Sequence, residues 1–533
     1  MHHFPASFSI DLPEHNSSQS FSCYDVGLAR YWLMHLHPQD PSKSAAKDTL
    51  EGRTAALMNS SQPKNEINLE TRRYSAVALV VWLLLTILCA ASLAGLYLSG
   101  WHGRLIFFIS EGPSSNIFIT LACVGIVWFL AGIILVLLWR GWLNRRNFLL
   151  CAGFCLVFLL YVNIIRERTN FGADWKDYYQ AAENLRAGVH LHSKYFYPPL
   201  WATLLEPLLP FGSRAVFAAC WLLNFVSFGA FYFLLVAALR RYGFSEYLSV
   251  VVTTLFLLVN VPVFRTFAYV QVNFHVMNLI LAGFLLYPRF RAVSASAVAV
   301  AVHLKSSPVA FAFGFLLRKD WRWLSWFGIA LVGILFATVL INGASPYVDF
   351  VKNVWNIYNW RDPDYRDNSI DAWFRTIQRA IGYNPGWTMA FIAIFKLLLL
   401  AAICFIVYRC IRKSTFSGST GTSDVLLDAS PALLILMMTA SPLVWEHHPV
   451  FASLSYLVLL KVLSGPLEWM LFGAAYMLAY LFPTFDFFPW SCGRLASSII
   501  WMYLAWRASG RSGISSVFSR TNAFSLTTSP SQS

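Results

Sequence analysis

Charge is scarce in this sequence. Asp, Glu, Lys and Arg make up 12% of 533 residues, against about 25% in an ordinary soluble chain. So few polar side chains cannot coat a water-soluble body of this size, which excludes ordinary soluble enzymes and DNA-binding proteins. Carboxylates are scarcer still, with 26 Asp and Glu against 40 Lys and Arg, and the resulting +14 has to be read by position rather than as a nucleic-acid footprint. The nine cysteines show no CxxC spacing, and Cys123, Cys151, Cys155 and Cys404 sit in apolar runs. Neither a zinc site nor a disulfide framework is implied. A glycine-rich phosphate loop and an HExxH pair are both absent. No apolar stretch lies near the start, so a signal peptide is not expected.

What fills the chain instead is apolar sequence: 57% hydrophobic residues, 17% aromatic, and a mean hydropathy of +0.55. Long runs begin near Val77 and recur at 76–98, 116–138, 147–164, 214–239, 245–264, 272–288, 323–342, 389–409, 426–442, 449–465, 468–484 and 492–507. Most approach the roughly 20 residues that cross a bilayer, and continuous rather than alternating apolarity favours helices over barrel strands. The expectation is an all-α polytopic integral membrane protein with about 12 spans. Its divisions are a polar cytoplasmic tail (1–70, disordered), two added N-terminal spans (71–146), a membrane domain (147–507) with outer loops at 165–213 and 343–388, and a polar tail (508–533).

Basic clusters set the expected orientation. Arg140, Arg145 and Arg146, Arg240 and Arg241, Arg289 and Arg291, Arg318, Lys319 and Arg322, Arg409, Arg412 and Lys413, and Arg507 and Arg511 all fall on one face if the N-terminus is cytoplasmic. One stretch resists this count. Residues 292–317 are basic at both ends yet too short for two crossings at about 1.5 Å per residue. A broken or re-entrant segment, redirected at Pro308, reconciles the two; the alternative is one ordinary crossing with a span miscounted elsewhere.

Several short stretches carry chemistry. Phe171–Tyr179 contains Asp174, a candidate general base, beside Trp175, Tyr178 and Tyr179, whose flat faces and hydroxyls suit a carbohydrate. An interfacial aromatic cluster would look the same. Tyr195-Phe196-Tyr197-Pro198-Pro199 is a stiff elbow that could hold the Asp174 loop. Gln271 and Asn273 suit hydrogen bonding at a helix mouth, although Asn273 could equally be a cap, and Arg265 one loop away could meet an anion. Lys305 is a charge set in apolar sequence, suited to a phosphate unless it snorkels to an interface. Ser441–Pro449 brings Glu446 to His447 and His448, where the carboxylate could orient one imidazole. Two adjacent histidines do not make a metal shell, so no metal ligand is assigned.

In order and spacing these motifs resemble the membrane glycosyltransferases of family 87, the DUF2029 family, typified by phosphatidylinositol mannoside mannosyltransferases. The family's aspartate and tyrosine pair, alanine-rich helix and glycine match Asp174, Tyr178, Tyr179, Ala181-Ala182 and Gly188. Its Tyr-x-Tyr-Pro-Pro matches Tyr195–Pro199, and its Lys-x-x-Pro matches Lys305–Pro308. Its Gly-Gln-x-Asn matches Val270–Asn273 with valine in place of glycine, so the backbone there would approach a ligand less closely. Asn368-Ser369 is the thinnest match, and Ser441–His448 fits Ser-Pro-x-x-Trp-Glu-His-His. The likeness spans about 147–507, leaving 1–146 as an addition.

The resemblance implies a GT-C-type fold and inverting transfer of a sugar, mannose by family weighting, from a polyprenyl-phosphate donor to a glycolipid or cell-envelope glycan. It places the protein in the inner or plasma membrane among membrane lipids, with the site extracytoplasmic and nucleic acid not a partner. Asp174 would be the base. Trp175, Tyr178, Tyr179, Tyr197, Gln271, Asn273 and Asn368 would contact acceptor or sugar. Lys305, Arg265, His447 and His448 would hold the donor phosphate, with the choice between the histidines open. No cofactor is implied, and whether a divalent metal takes part stays open. Rival readings are a lipid or glycolipid transporter or flippase, a non-catalytic scaffold, and a polymerase or ligase using a lipid-pyrophosphate donor.

Overall fold

In the computed structural model, the residues described are 64–98, 107–108, 117–142, 153, 172–258, 260–357, 366–380, 388–413, 415–416, 425–481, 487–488 and 490–511. The polar N-terminal tail up to residue 63, the expected span at 147–164 apart from Gly153, and residues 512–533 lie outside them.

The N-terminal addition supplies α1 (Lys64–Leu98) and α2 (Ile117–Arg140). They join through stacked Trp82 and Trp128 rings 5.7 Å apart, and Trp128 Nε1 donates to Thr86 Oγ1 at 2.7 Å. Between them Phe107–Phe108 (β1) pairs antiparallel with Phe487–Phe488 (β2), a two-residue ladder in an otherwise helical body. Next come α3 (Ala173–Arg186), α4 (Leu200–Leu205) with a tighter 3₁₀ turn to Phe211, and α5 (Ser213–Arg241). Then follow α6 (Glu246–Leu258), α7 (Val261–Tyr269) and α8 (Asn273–Leu286). The chain continues through α9 (Arg291–Leu304), α10 (Phe311–Leu317), α11 (Trp321–Asn342), α12 (Ser345–Ile357) and α13 (Ile370–Ala380). The last helices are α14 (Thr388–Lys413), α15 (Val425–Thr439), α16 (Ser453–Leu459), α17 (Pro466–Tyr476) and α18 (Gly493–Gly510).

The span count is corrected by this architecture. Among the described residues four helices are long and apolar enough to cross a membrane, within Tyr74–Ser92, Ser213–Arg241, Trp321–Asn342 and Ala390–Lys413. A fifth counts only if the bent pair α6–α7 is one span. The GT-C-type arrangement of about 12 crossings therefore gives way to a largely helical body with four or five. The physical reason is that apolar sequence facing protein reads like apolar sequence facing lipid. Helix α16 shows it: Ser453 to Leu459 are all buried, and the helix is only seven residues long. At 272–288 and 426–442 the helices are 14 and 15 residues long.

Helix α9 sits at the centre, packed most extensively on α11 and α8. Its buried Ala295, Ala299 and Ala301 let neighbouring backbones come close, as small residues do between membrane helices. It stops at Leu304. Lys305 is extended (φ −156°, ψ 124°), and Pro308 lies in a 3₁₀ turn, Ser307–Ala310, that leads into α10. This break carries a lysine into the interior.

Candidate active site

Helix α3 presents Asp174 and Tyr178 one turn apart, and Tyr178, Ala181 and Ala182 form its buried stripe. Its start is anchored by Gly172, whose N–H donates to Ala268 O at the end of α7 (2.7 Å). A side chain at Gly172 would have to take φ +70° and would put its Cβ 2.9 Å from the Phe217 ring. The aspartate is thus tied to α7, after which Gln271 and Asn273 follow.

Gln271 and Asn273 are fully buried. Tyr178 donates to Gln271 Oε1 at 2.9 Å and Tyr197 to the same oxygen at 3.3 Å. Lys305 Nζ donates to Asn273 Oδ1 at 3.0 Å, stands 2.7 Å from His448 Nε2, and lies over the Phe451 and Tyr197 rings at 5.0 and 5.7 Å. Because hydroxyls and an ammonium donate to these oxygens, the amide nitrogens must be the outward-facing donors. Gln271 Nε2 and Asn273 Nδ2 are buried without a partner.

Asp174 and Lys305 lie close enough for each to act on the other's charge. Burial pushes the Asp174 carboxyl up to about 7, with Asp177 adding to the rise and Lys305 opposing it. Burial lowers the Lys305 ammonium to about 7, with Asp174 opposing. Both therefore exchange protons near neutrality, the range useful to a general base and to a switchable cation.

A second group adjoins the first. Arg265 Nε pairs with Glu446 Oε1 at 2.8 Å, both side chains being buried, and Tyr269 donates to the same oxygen at 3.0 Å. Glu446 thus meets a guanidinium and a phenol, whereas His448 Nδ1 takes the Trp445 N–H at 3.2 Å. The two histidines differ sharply. His448 touches Lys305, while His447 stands edge-on to Tyr269 and His448, at 5.9 and 4.7 Å between centroids, with neither ring nitrogen partnered. Burial first and then Lys305 hold both imidazoles well below their usual pKa.

Three sequence candidates sit apart from these contacts. Trp175 packs against Tyr179 and Phe217, and Tyr179 meets Glu183 one turn on. Asn368 works as a connector. Its N–H donates to Val444 O (2.8 Å), its Nδ2 to Arg366 O (3.2 Å), and its Oδ1 accepts from Arg494 N (3.3 Å) at the start of α18. Sequence reasoning missed Arg494, 2% exposed and acting on Glu446, Arg265 and Tyr269. The available signal was a lone arginine near the start of an apolar run, since such charges are costly and tend to be functional. Among the described residues no group of three or more His, Cys, Asp or Glu could hold a metal ion.

Comparison with known proteins bears on this arrangement. No curated protein and no solved structure matches the chain. The family model of glycosyltransferase family 87 matches residues 195–442, a stretch that holds Tyr197, Arg265, Gln271, Asn273, Lys305 and Asn368. Asp174 and Glu446–His448 lie outside the match, on either side, and meet those residues only in the fold. The similarity to glycosyltransferase family 87 thus covers residues 195–442, a little under half of the chain.

Proposed function

We propose that this chain is an inverting hexosyltransferase that moves a sugar, mannose by family weighting, from a polyprenyl-phosphate donor to an extracytoplasmic glycolipid or cell-envelope glycan. The observation that carries the reading is Lys305, fixed between Asn273 and His448 and electrostatically coupled to Asp174. A carboxylate able to take a proton near pH 7 beside a buried ammonium is what a one-step displacement at a sugar phosphate requires.

In this mechanism the acceptor hydroxyl oxygen attacks the anomeric carbon as its proton passes to Asp174. The bond from that carbon to the phosphate oxygen breaks, and its electron pair leaves with polyprenyl phosphate. Lys305, His448 and the Arg265 and His447 side stabilise the charge developing there. One displacement inverts the anomeric centre, so a β-linked donor yields an α-linked product. The carboxamide nitrogens of Gln271 and Asn273, already oriented as donors, suit sugar or phosphate oxygens, and Tyr178 and Tyr197 hold the Gln271 amide. Trp175, Tyr179 and Asn368 belong to the surrounding wall.

The test is transfer from polyprenyl-phosphate mannose to extracted cell-envelope lipids by the lipid-embedded protein, beside Asp174→Asn. Loss of a positioned base lowers the rate by about 10²–10⁴. A folded Asp174→Asn protein that transfers as well as wild type removes Asp174 from the role. No transfer by either, once other lipid-linked sugars and acceptors are supplied, favours the transporter or scaffold reading.

A further inference from the structure

Helix α12 is amphipathic in the inverse sense for a helix facing water. Asp349 and Asn353, one turn apart, are buried, while Val348, Val351 and Trp355 on the opposite stripe are 50%, 62% and 70% exposed. The polar side is spent on protein. Asp349 meets His190 Nδ1 and Leu191 N, and Asn353 Nδ2 donates to the carbonyls of His192 and Tyr195. In the first turn, Tyr347 Oη lies 3.3 Å from His303 Nδ1, two residues before Lys305. Inward, then, α12 holds both the loop that carries Tyr197 and the end of α9.

What covers the outer stripe follows from where α12 begins. Helix α11, one of those long and apolar enough to cross a membrane, ends at Asn342, and α12 starts at Ser345. Gly343 makes the turn at φ +77°, a conformation that suits glycine. Three peptide steps reach at most about 11 Å, so α12 starts at the level where α11 ends. Leu340 and Ile341, in the last turn of α11, are 69% and 67% exposed, as open as Val351. Exposed apolar residues therefore continue from the crossing helix into α12. Lys352, exposed beside Val351, has a stem that lies along apolar surface while its ammonium reaches lipid phosphates, and tryptophan favours the same boundary. Such a stripe gains nothing from water, whereas at a bilayer surface it buries apolar area.

We propose that α12 lies in the plane of the membrane surface with its Val348–Val351–Trp355 face docked on phospholipid, and that this contact holds the Tyr197 loop in place from outside. The partner is the boundary of a bilayer, not a protein. Neither contact depends on what the site transfers.

The full-length protein is placed in phosphatidylcholine nanodiscs with the photo-crosslinker p-benzoylphenylalanine in place of Val351 or, as a yardstick, of Ile341. After illumination, peptide mass spectrometry should find phosphatidylcholine attached at 351 to an extent comparable with 341. A second arm measures amide exchange in Val348→Glu with Val351→Glu. Exchange across 189–197 should be about tenfold faster than in wild type, the change expected when roughly one valine's burial is lost. Should that pair fail to fold, Val351→Ser alone carries the same reading.

A lipid adduct at 341 with none at 351 overturns the proposal. So does an adduct at 351 to a second copy or to another stretch of the chain, since the face then has a protein occupant. Wild-type exchange across 189–197 in the folded variants overturns it as well. Neither readout uses sugar transfer, so each of these results leaves the transferase reading where it stands.

Discussion

Two buried polar clusters in this helical body follow opposite rules. At Glu468 the carboxylate is saturated: Ser464 N donates to Oε2 at 3.1 Å, Arg511 pairs with Oε1, and Arg507 lies 3.9 Å from it. At Lys305 the cations and carbonyl oxygens are paired, yet Gln271 Nε2, Asn273 Nδ2 and both nitrogens of His447 are left over. Other unpartnered polar atoms are scattered among the described residues, such as Trp201 Nε1 and Thr253 Oγ1, but here four converge on one lysine and its neighbours. A saturated cluster stabilises one fold, whereas a half-filled one costs stability and gains only when something binds. The difference separates a structural ion pair from a site.

The largest expected effect breaks the two clusters in parallel. Lys305→Gln should lower the transfer rate by about 10²–10³, the loss seen when one pre-aimed donor to a developing anion is removed. Its melting temperature should stay close to wild type, because a buried cation is costly to keep. Glu468→Gln should do the opposite. It costs about 1–2 kcal/mol by denaturant titration, discounted because Arg507 is half exposed, and leaves transfer unchanged. Equal effects of the two variants on both readouts would erase the distinction.

The pH profile sharpens it. As a base, Asp174 must be ionised, so transfer falls as pH drops below about 7. As a phosphate ligand, Lys305 must be protonated, so transfer falls as pH rises above about 7. The outcome is a narrow bell centred near neutrality, and because the groups act on each other its limbs belong to the pair. Lys305→Arg keeps its charge at every working pH, so the alkaline limb should disappear while the acid limb remains. A bell of unchanged width in that variant removes Lys305 from the alkaline limb.

A smaller effect comes from a saturated cluster that serves the unsaturated one. On α12, Asp349 takes His190 Nδ1 and Leu191 N at 3.0 Å each, and Asn353 Nδ2 donates to His192 O and Tyr195 O at 3.0 and 3.1 Å. These bonds pin the loop that delivers Tyr197 to Gln271. Asp349→Ala with Asn353→Ala should lower kcat/KM by about tenfold, as small misplacements do, with neither residue touching substrate. The slack should also show as faster amide exchange across 189–197. Unchanged exchange with reduced transfer would mean that α12 acts some other way.

Legibility in the sequence follows the same divide. Gln271, Asn273, Lys305 and His448 could be found because each is a polar residue where apolar sequence makes polarity expensive, and the fold brings Asn273 and His448 within hydrogen-bond reach of Lys305. The choice between His447 and His448 was not legible, since adjacent residues diverge only when a 3₁₀ turn directs one ring at Lys305 and the other at Tyr269. Asn368 was assigned from its type, but its amide is spent joining Arg366, Val444 and Arg494. Helical class was readable from continuous apolar runs. The number of crossings was not, because hydropathy cannot tell α16, wholly enclosed by protein, from α14, which exposes Leu397 and Leu398.

The smallest effect lies at Val270, where the chain departs from the family's glycine. Val270 closes α7 in the left-handed region at φ 55°, and its side chain is buried at 3% exposure. A non-glycine residue there costs about 1–2 kcal/mol, yet burying a valine side chain returns about 1.5–3 kcal/mol. Packing therefore offsets the strain, and Val270→Gly should change stability by no more than about 1–2 kcal/mol. Val270→Ala loses most of the packing and keeps the left-handed strain, so it should be the less stable of the two. At an ordinary helical position alanine exceeds glycine by about 0.5–1 kcal/mol, so a reversed order in denaturant titrations would be the signature of the φ angle. The usual order would mean that the chain escapes the left-handed turn once valine is gone, and that valine's packing holds the turn in place beside Gln271.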